Sequence, residues 1–338
     1  MKSFLIVRLG SLGDVIHGIP VAAALRNEFP NGRIDWMVDP KYVELLDLVT
    51  VIDRRIAVDP RAIKHGEGRV RFRQTLRELR EADYDAVIDL QGLLKSAMLA
   101  RSVHGHRTIG FPRKHLREPL ARLFYTDAPD PGDATHVIYK NLALLAPLKV
   151  VDRRLRFPID IRRTQTVEQV EARFGASGYV IVNPGAAWPN KQWPAERFGA
   201  VAAAVQRDFG WRSLVLWGPG EQEIAHAVVA AADGAAELSP PTTITDLVGI
   251  ARHARMIVSG DTGPVHIAGA VDTPIVALFG PTRPERNGPW GLYDVAISRV
   301  DRCSCVYERR CKVKERCIDG ISVAEVMSAV HRRASVRG

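Results

Sequence analysis

Short apolar runs alternate with helical stripes along most of this chain. SFLIVRLG, at residues 3–10, reads as a strand, and the apolar positions of VIHGIPVAAALRNEF after it recur at helical spacing. RIDWMV, VIDRRIAV and YDAVIDL continue as strands, with the helical patterns RFRQTLRELREA and LLKSAMLARSV between them. Apolar runs rich in β-branched residues, with little polar alternation, are what parallel strands covered on both faces require. TDAPDPGDATH is a loop by its Pro, Gly and Asp content, VIYKNLALLAPL is a helix, and RRLRFPIDIRRT leads to a second start. YVIVNPG, SLVLWGPGE, MIVS and PIVALF then read as strands. PAERFGAVAAAVQRDF, EIAHAVVAAA and TITDLVGIARHA read as helices, and ISVAEVMSAVHRRA closes the chain as another.

This order predicts an α/β protein of two Rossmann-like domains facing across a cleft. The break falls between residues 157 and 165, giving domains at 1–160 and 161–320. Residues 321–338 are expected to form a last helix that returns to pack on the first domain.

A length of 338 residues with 46% apolar content suffices for two cores. No apolar run reaches the roughly 18 residues of a membrane span, and Arg8 cuts the N-terminal FLIV short, so the expected location is cytoplasmic. The formal charge is +9, and residues 54–122 hold 16 Lys+Arg against 8 Asp+Glu. Such a surplus implies an anionic partner: nucleic acid, an anionic lipid surface or an acidic sugar. A recognition helix and an RNA-stacking signature are both missing, which argues against nucleic acid. Four cysteines, Cys303, Cys305, Cys311 and Cys317, lie in CSCVYERRCKVKERC. Their C-x-C-x5-C-x5-C spacing is not a standard zinc pattern, and both a thiol-bound metal and reduced or paired thiols in a structural loop remain open. No metal is assigned to the chemistry.

Neither half contains G-x-G-x-x-G. GSLGD places Asp14 in the first helical turn, where a pyrophosphate would be repelled, which disfavours a dinucleotide dehydrogenase. Asp14 is either a first-turn acid stabilised by the helix dipole or a base at a cleft wall. In the second half, NPGAAWPNKQWP offers a glycine turn and Lys191 between Trp188 and Trp193. WGPGE offers Gly218 and Gly220 followed by Glu221, and GDTGPVH opens a helix whose free N–H groups suit an anion. Three strand ends of this kind describe a nucleoside diphosphate site. Lys191 would meet phosphate, Glu221 ribose hydroxyls, and Asp261 sugar hydroxyls, with His266 nearby.

DTGPVHIAGAVDTPIVALFGPTRPERNGPW, VNPGAAWPNKQWP and VRLGSLGDVIHGIP together resemble glycosyltransferase family nine, the lipopolysaccharide heptosyltransferases, over essentially the whole chain. AVIDLQGLLKSA and IGFPRKHLREPLARLFY are similar to heptosyltransferase I, whereas the four-cysteine tail looks more like heptosyltransferase II. The resemblance implies the GT-B architecture, with an N-terminal acceptor domain and a C-terminal donor domain. It also implies inverting transfer from ADP-heptose to Kdo of the lipid A inner core, without cofactor or divalent metal. Asp14 then matches the general base, Lys191 the phosphate-binding lysine and Glu221 the ribose-binding glutamate. Asp261, Thr262, Gly263 and His266 match the sugar-contacting D-T-G-x-x-H. Where heptosyltransferase I has threonines before the lysine, this chain has Ala186 and Ala187. The acceptor-binding set is Ser11, Gly13, Arg61, Lys64, Lys95, Arg113, Lys114 and Arg117, facing an anionic lipid at the cytoplasmic side of the inner membrane. Alternatives are a family-nine enzyme with another donor or acceptor, a nucleotide-sugar epimerase, and a basic nucleic-acid-binding protein.

Overall fold

In the computed structural model, residues 1–59, 66–313 and 315–336 are described. The chain divides into two compact units, Met1–Asp160 and Ile161–Gly338. The first contains five parallel strands: β1 (Ser3–Val7), β2 (Arg33–Val38), β3 (Arg54–Ala57), β4 (Tyr84–Asp89) and β5 (Gly105–Ile109), ordered β3-β2-β1-β4-β5. β1 and β4 are buried on both faces, as their continuous apolar runs demand. β5 departs from the expected pattern. GHRTI is too polar to read as a strand, yet it forms a sheet edge where polar residues are tolerated.

Helix-breaking residues also refine the expected elements. The helix read after GSLGD is two, Leu12–Ile16 and Ile19–Glu28, because Gly18 and Pro20 start a new first turn. The VIYKNLALLAPL helix stops at Ala143 and continues only as a short 3-10 turn, Ala146–Leu148, around Pro147.

The second unit contains six parallel strands: β6 (Tyr179–Asn183), β7 (Arg212–Val215), β8 (Ala236–Leu238), β9 (Met256–Gly260), β10 (Ile275–Phe279) and β11 (Val295–Ser298), ordered β11-β10-β9-β6-β7-β8. The two outermost strands, β8 and β11, are short and lay outside the expected set. The last helix corrects an expectation outright. Val323–Ser335 packs on the second unit, against helix Ala195–Phe209, β10 and β11, with Val326, Met327, Ala329 and Val330 buried in that unit's core. Its apolar stripe is matched by Val201, Val205 and Val276 of the same core, and His331 pairs with Asp208 at 3.0 Å.

In each sheet the strand order reverses beside the first strand, between β1 and β4 and between β6 and β9. The carboxyl ends at such a switch point are where open α/β sheets bind ligands.

Candidate functional site

In the first domain, β1 ends at Val7 and the chain turns through Leu9 and Gly10 into helix Leu12–Ile16. Asp14 lies in that helix's first turn and accepts from the Ser11 N–H and Ser11 hydroxyl, both at 3.0 Å. Its other oxygen meets Arg8 Nη2 at 2.5 Å. The Arg8 side chain is 9% exposed and also donates to the Leu90 carbonyl, whereas Asp14 is 33% exposed. The buried cation therefore presents the carboxylate. Behind them, Asp89 at the end of β4 accepts from the Gln91 and Gly92 N–H groups, the Ser96 hydroxyl and the Tyr125 hydroxyl. Burial pushes the Asp89 carboxyl up, and these four donors oppose the shift. They also fix the loop whose Gln91 Oε1 accepts from Leu9 N–H at 3.0 Å.

The acceptor-side expectations divide. Ser11 is exposed beside Asp14, and Gly13 is buried inside the short helix. Lys95, Arg113 and Arg117 are exposed. Lys114 is ion-paired with Asp130 at 2.6 Å and holds that carboxyl below its ordinary value, so it is not a free cation. Arg61 and Lys64 lie outside the described residues.

In the second domain, three segments that follow the carboxyl ends of β6, β9 and β10 meet at Asp261. Its Oδ2 accepts from Lys191 Nζ at 2.5 Å and the Thr282 hydroxyl at 2.7 Å. Oδ1 accepts from Asn287 Nδ2 at 2.7 Å and lies 3.5 Å from His266 Nε2. A carboxylate offers about four lone-pair sites, so this one is saturated. Burial alone would raise its pKa, but His266 and the Lys191 ammonium outweigh that and hold it well below the carboxylate range. With 3% of its side chain exposed, Asp261 is held against Lys191 in the ligand-free chain. His266 is a buried partner of the same carboxylate.

Lys191 is 15% exposed, with Nζ 4.7 Å above the centre of the Trp188 ring. Trp193, expected to flank it as well, is a core residue that donates to the Ile321 carbonyl and packs edge-on against Phe198. Thr262 precedes helix Gly263–Ala270 without capping it, because its hydroxyl is turned to Asn183 Nδ2 at 2.9 Å. The first amides of that helix, at Gly263 and beyond Pro264, are left without that cap.

Glu221 is fixed by the turn before it. Pro219 and Gly220, the latter at φ +81°, suit the central positions of a type II turn closed by Glu221 N–H on the Gly218 carbonyl. Its carboxylate folds back onto the Gly218 N–H at 3.0 Å. Gly185 leaves room for this carboxylate, because a Cβ on it would stand 2.1 Å from Glu221 Oε2 and the carboxylate would have to move. Ala186 is buried, with its carbonyl accepting from Gln192 Nε2 at 3.1 Å, and Ala187 is exposed.

This arrangement of cation, uncapped helix amides and carboxylate at the ends of β6, β7 and β9 belongs with a profile match over residues 71–316 to glycosyltransferase family 9 (heptosyltransferase). The chain belongs to glycosyltransferase family 9. It is 33% identical to lipopolysaccharide heptosyltransferase 1 of Pseudomonas aeruginosa, an alignment covering 91% of this chain and 86% of that protein. Among solved structures, Escherichia coli heptosyltransferase WaaC with ADP superposes with a TM-score of 0.79 at 23% identity, covering 98% of this chain and 100% of that one. WaaC with ADP-2-deoxy-2-fluoro heptose gives 0.76 at 25% identity, with the same coverage. The two parallel-sheet domains are those of the GT-B fold in family 9.

The structure adds Arg8, Gln91, Asn183, Thr282 and Asn287, which the sequence reading missed, to the surroundings of Asp14, Thr262 and Asp261. Arg8 carried a signal, a cation interrupting an apolar strand. Asn183 also carried one, as the polar end of YVIVN. Thr282 and Asn287 had none, since their partner is distant in sequence.

Proposed function

We propose that this glycosyltransferase moves L-glycero-D-manno-heptose from ADP-heptose to Kdo of the lipid A inner core, with inversion and without a catalytic metal. The observation that carries the reading is the Lys191–Asp261 assembly. A saturated, buried carboxylate fixes one ammonium beside the uncapped amides of helix Gly263–Ala270, a cradle for a diphosphate. An ammonium has three N–H bonds, and two of these meet Asp261, through Oδ2 and the backbone carbonyl. The third is the one assigned to the leaving diphosphate. Glu221, poised at the Gly218 turn, takes the ribose hydroxyls. Nucleotide and sugar identity rest on the relatives, two of whose structures hold ADP or an ADP-heptose analogue.

Asp14 acts as the base. A carboxylate oriented by a guanidinium and one-third exposed is within reach of an acceptor hydroxyl, as proton abstraction requires. The oxygen so activated attacks the anomeric carbon opposite the diphosphate, the C–O bond to phosphate breaks, and configuration inverts in one displacement. Lys191 and the helix amides meet the charge that develops on the leaving group, which is the work a divalent ion does in other transferases.

An anionic lipid surface fits the first domain. Lys95, Met98 and Arg101 share the exposed face of helix Leu94–Ser102. Glu118 accepts from Leu94 N–H at 2.6 Å, which sets exposed Arg117 beside that helix. In the 3-10 helix Pro119–Phe124, residues three apart share a face, and Leu120 and Leu123 are both exposed. Among the described residues no helix is long and apolar enough to cross a membrane, so contact through this basic, apolar-tipped face is the mode proposed.

The test is incubation of Kdo-lipid A with ADP-heptose and mass spectrometry of the product. One heptose added to the acceptor, dependent on ADP-heptose and undiminished by a chelator, is expected. Binding of ADP without transfer would redirect the acceptor assignment, and preference for UDP would overturn the donor.

A further inference from the structure

The loop between β11 and the last helix lies outside the chemistry above, yet it holds the two segments that meet at Asp261. Asn190 Nδ2, next to Lys191, donates to the Glu308 carbonyl at 2.8 Å, and Arg316 donates to the carbonyl of Pro189, two residues before Lys191, at 2.9 Å. The Tyr307 N–H donates to the Pro281 carbonyl at 2.8 Å, one residue before Thr282. At Gly280 a Cβ would stand 3.5 Å from Cys317 Sγ and 3.1 Å from the Asn190 carbonyl, so the three segments are in direct contact.

Such a buttress needs internal order, and its own side chains supply little. Among the described residues of 303–316 there is no α-helix or strand, and Cys305 is the one buried side chain. Six Lys+Arg against two Glu between Arg302 and Arg316 add mutual repulsion. Where a small segment has no core, a cross-link has to replace it.

The four sulfurs are gathered for one. Cys303 Sγ lies 3.8 Å from Cys305 Sγ, Cys305 is bonded to Cys311, and Cys317 is in hydrogen-bonding contact with Cys303. Among the described residues no group of three or more His, Cys, Asp or Glu stands ready as a metal site, since Cys303 and Cys317 are the free thiols that remain. The Cys305–Cys311 bond spans a sequence separation of 6 and leaves Cys303 and Cys317, which bracket the loop, unlinked. A single centre shared by all four would close the whole loop. Tetrahedral thiolates at about 2.3 Å from a metal stand about 3.8 Å from one another, the spacing that Cys303 and Cys305 already have. Four thiolates on a divalent ion carry a net charge of about −2, which the basic loop would balance.

We propose that in the reduced chain Cys303, Cys305, Cys311 and Cys317 hold one structural divalent ion of the thiophilic class, zinc or ferrous iron, which orders the loop behind Lys191 and Thr282. The disulfide is the metal-free counterpart of this site. A dithiol supplies the two electrons and two protons that open it, itself becoming a disulfide, and the ion then displaces four thiol protons. The site takes no part in the transfer step and stands whether or not the assignment of donor and acceptor does.

The experiment uses the full chain, purified under reducing conditions without chelator, with elemental analysis and alkylation mass spectrometry. Expected are one zinc or one iron per chain, the analysis deciding which, and four cysteines that resist alkylation until a mercurial displaces the metal. Cobalt(II) exchanged into the site should show thiolate charge-transfer and the visible bands of tetrahedral coordination. Trypsin should cut after Arg309, Arg310 and Lys312 faster once the metal is removed. A metal-free chain with freely reacting thiols, or a Cys305–Cys311 disulfide that persists under reduction, overturns the proposal. Full metal content in a Cys303→Ser, Cys317→Ser double variant overturns the ligand set. The wild-type readouts decide the matter even if that variant fails to fold.

Discussion

Both sheets place an aspartate paired with a cation at their switch point, and the two pairs are inverted. In the first domain Arg8 is the buried member at 9% exposure and Asp14 the presented one at 33%. In the second, Asp261 is buried at 3% and Lys191 is the more exposed at 15%. The same salt-bridge chemistry therefore offers an anion from one domain and a cation from the other. What sets the polarity is the second set of partners. Arg8 is held inward by the Leu90 carbonyl, while Asp261 is held inward by Thr282, Asn287 and His266. The proposed transfer needs a base where an acceptor hydroxyl loses its proton, and a cation where a diphosphate leaves.

The sharpest way to break this comparison is to remove the presented anion. Asp14→Ala should lower turnover by about 10²–10⁴-fold while folding persists, read as product formed per unit time and as the thermal midpoint. Near-normal turnover would leave Asp14 as a first-turn acid and nothing more. Removing the presented cation acts differently, because it strands a buried carboxylate. Lys191→Met should destabilise the second domain by about 3–5 kcal/mol in denaturant titration, the range for an uncompensated buried charge. Loss of less than about 1 kcal/mol would mean that Thr282, Asn287 and His266 satisfy Asp261 without it.

A smaller effect probes the donor side without touching either pair. Gly185→Ala drives a methyl group into the Glu221 carboxylate, so ADP affinity should fall by about tenfold, the cost of one displaced charged hydrogen-bonding group. Unchanged affinity would remove Glu221 from the nucleotide site. The smallest contrast lies on the proposed acceptor face. Lys95→Glu with Arg117→Glu should raise the acceptor KM several-fold and leave ADP binding as it was. Lys114→Ala should leave the thermal midpoint unchanged, as befits an exposed pair with Asp130.

Much of this was legible along the chain, for reasons that differ by residue. The strands of both switch points were visible because β1, β4, β6, β9 and β10 are buried runs with little polar interruption. The edge strands GHRTI and VAIS were not, because an edge has no comparable apolar demand. Asp14, Lys191 and Glu221 stood out as charged groups in glycine turns after strands. Sequence spacing could not show that Asp261 spends its whole acceptor capacity on Lys191, Thr282, Asn287 and His266, since Thr282 and Asn287 come from beyond the next strand. The last helix shows the same limit in packing. Its amphipathic stripe was plain, but which core would receive it depended on Val201, Val205 and Val276, more than 45 residues away in sequence.

The inversion itself is tested most directly by calorimetric titration of ADP into two variants side by side, Asp14→Asn and Lys191→Met, at a temperature where both are folded. The account predicts an ADP dissociation constant unchanged in Asp14→Asn and weakened by about tenfold or more in Lys191→Met, one charged hydrogen bond being worth about 1.5–3 kcal/mol. Weakened ADP binding in Asp14→Asn, with Lys191→Met unaffected, would contradict it.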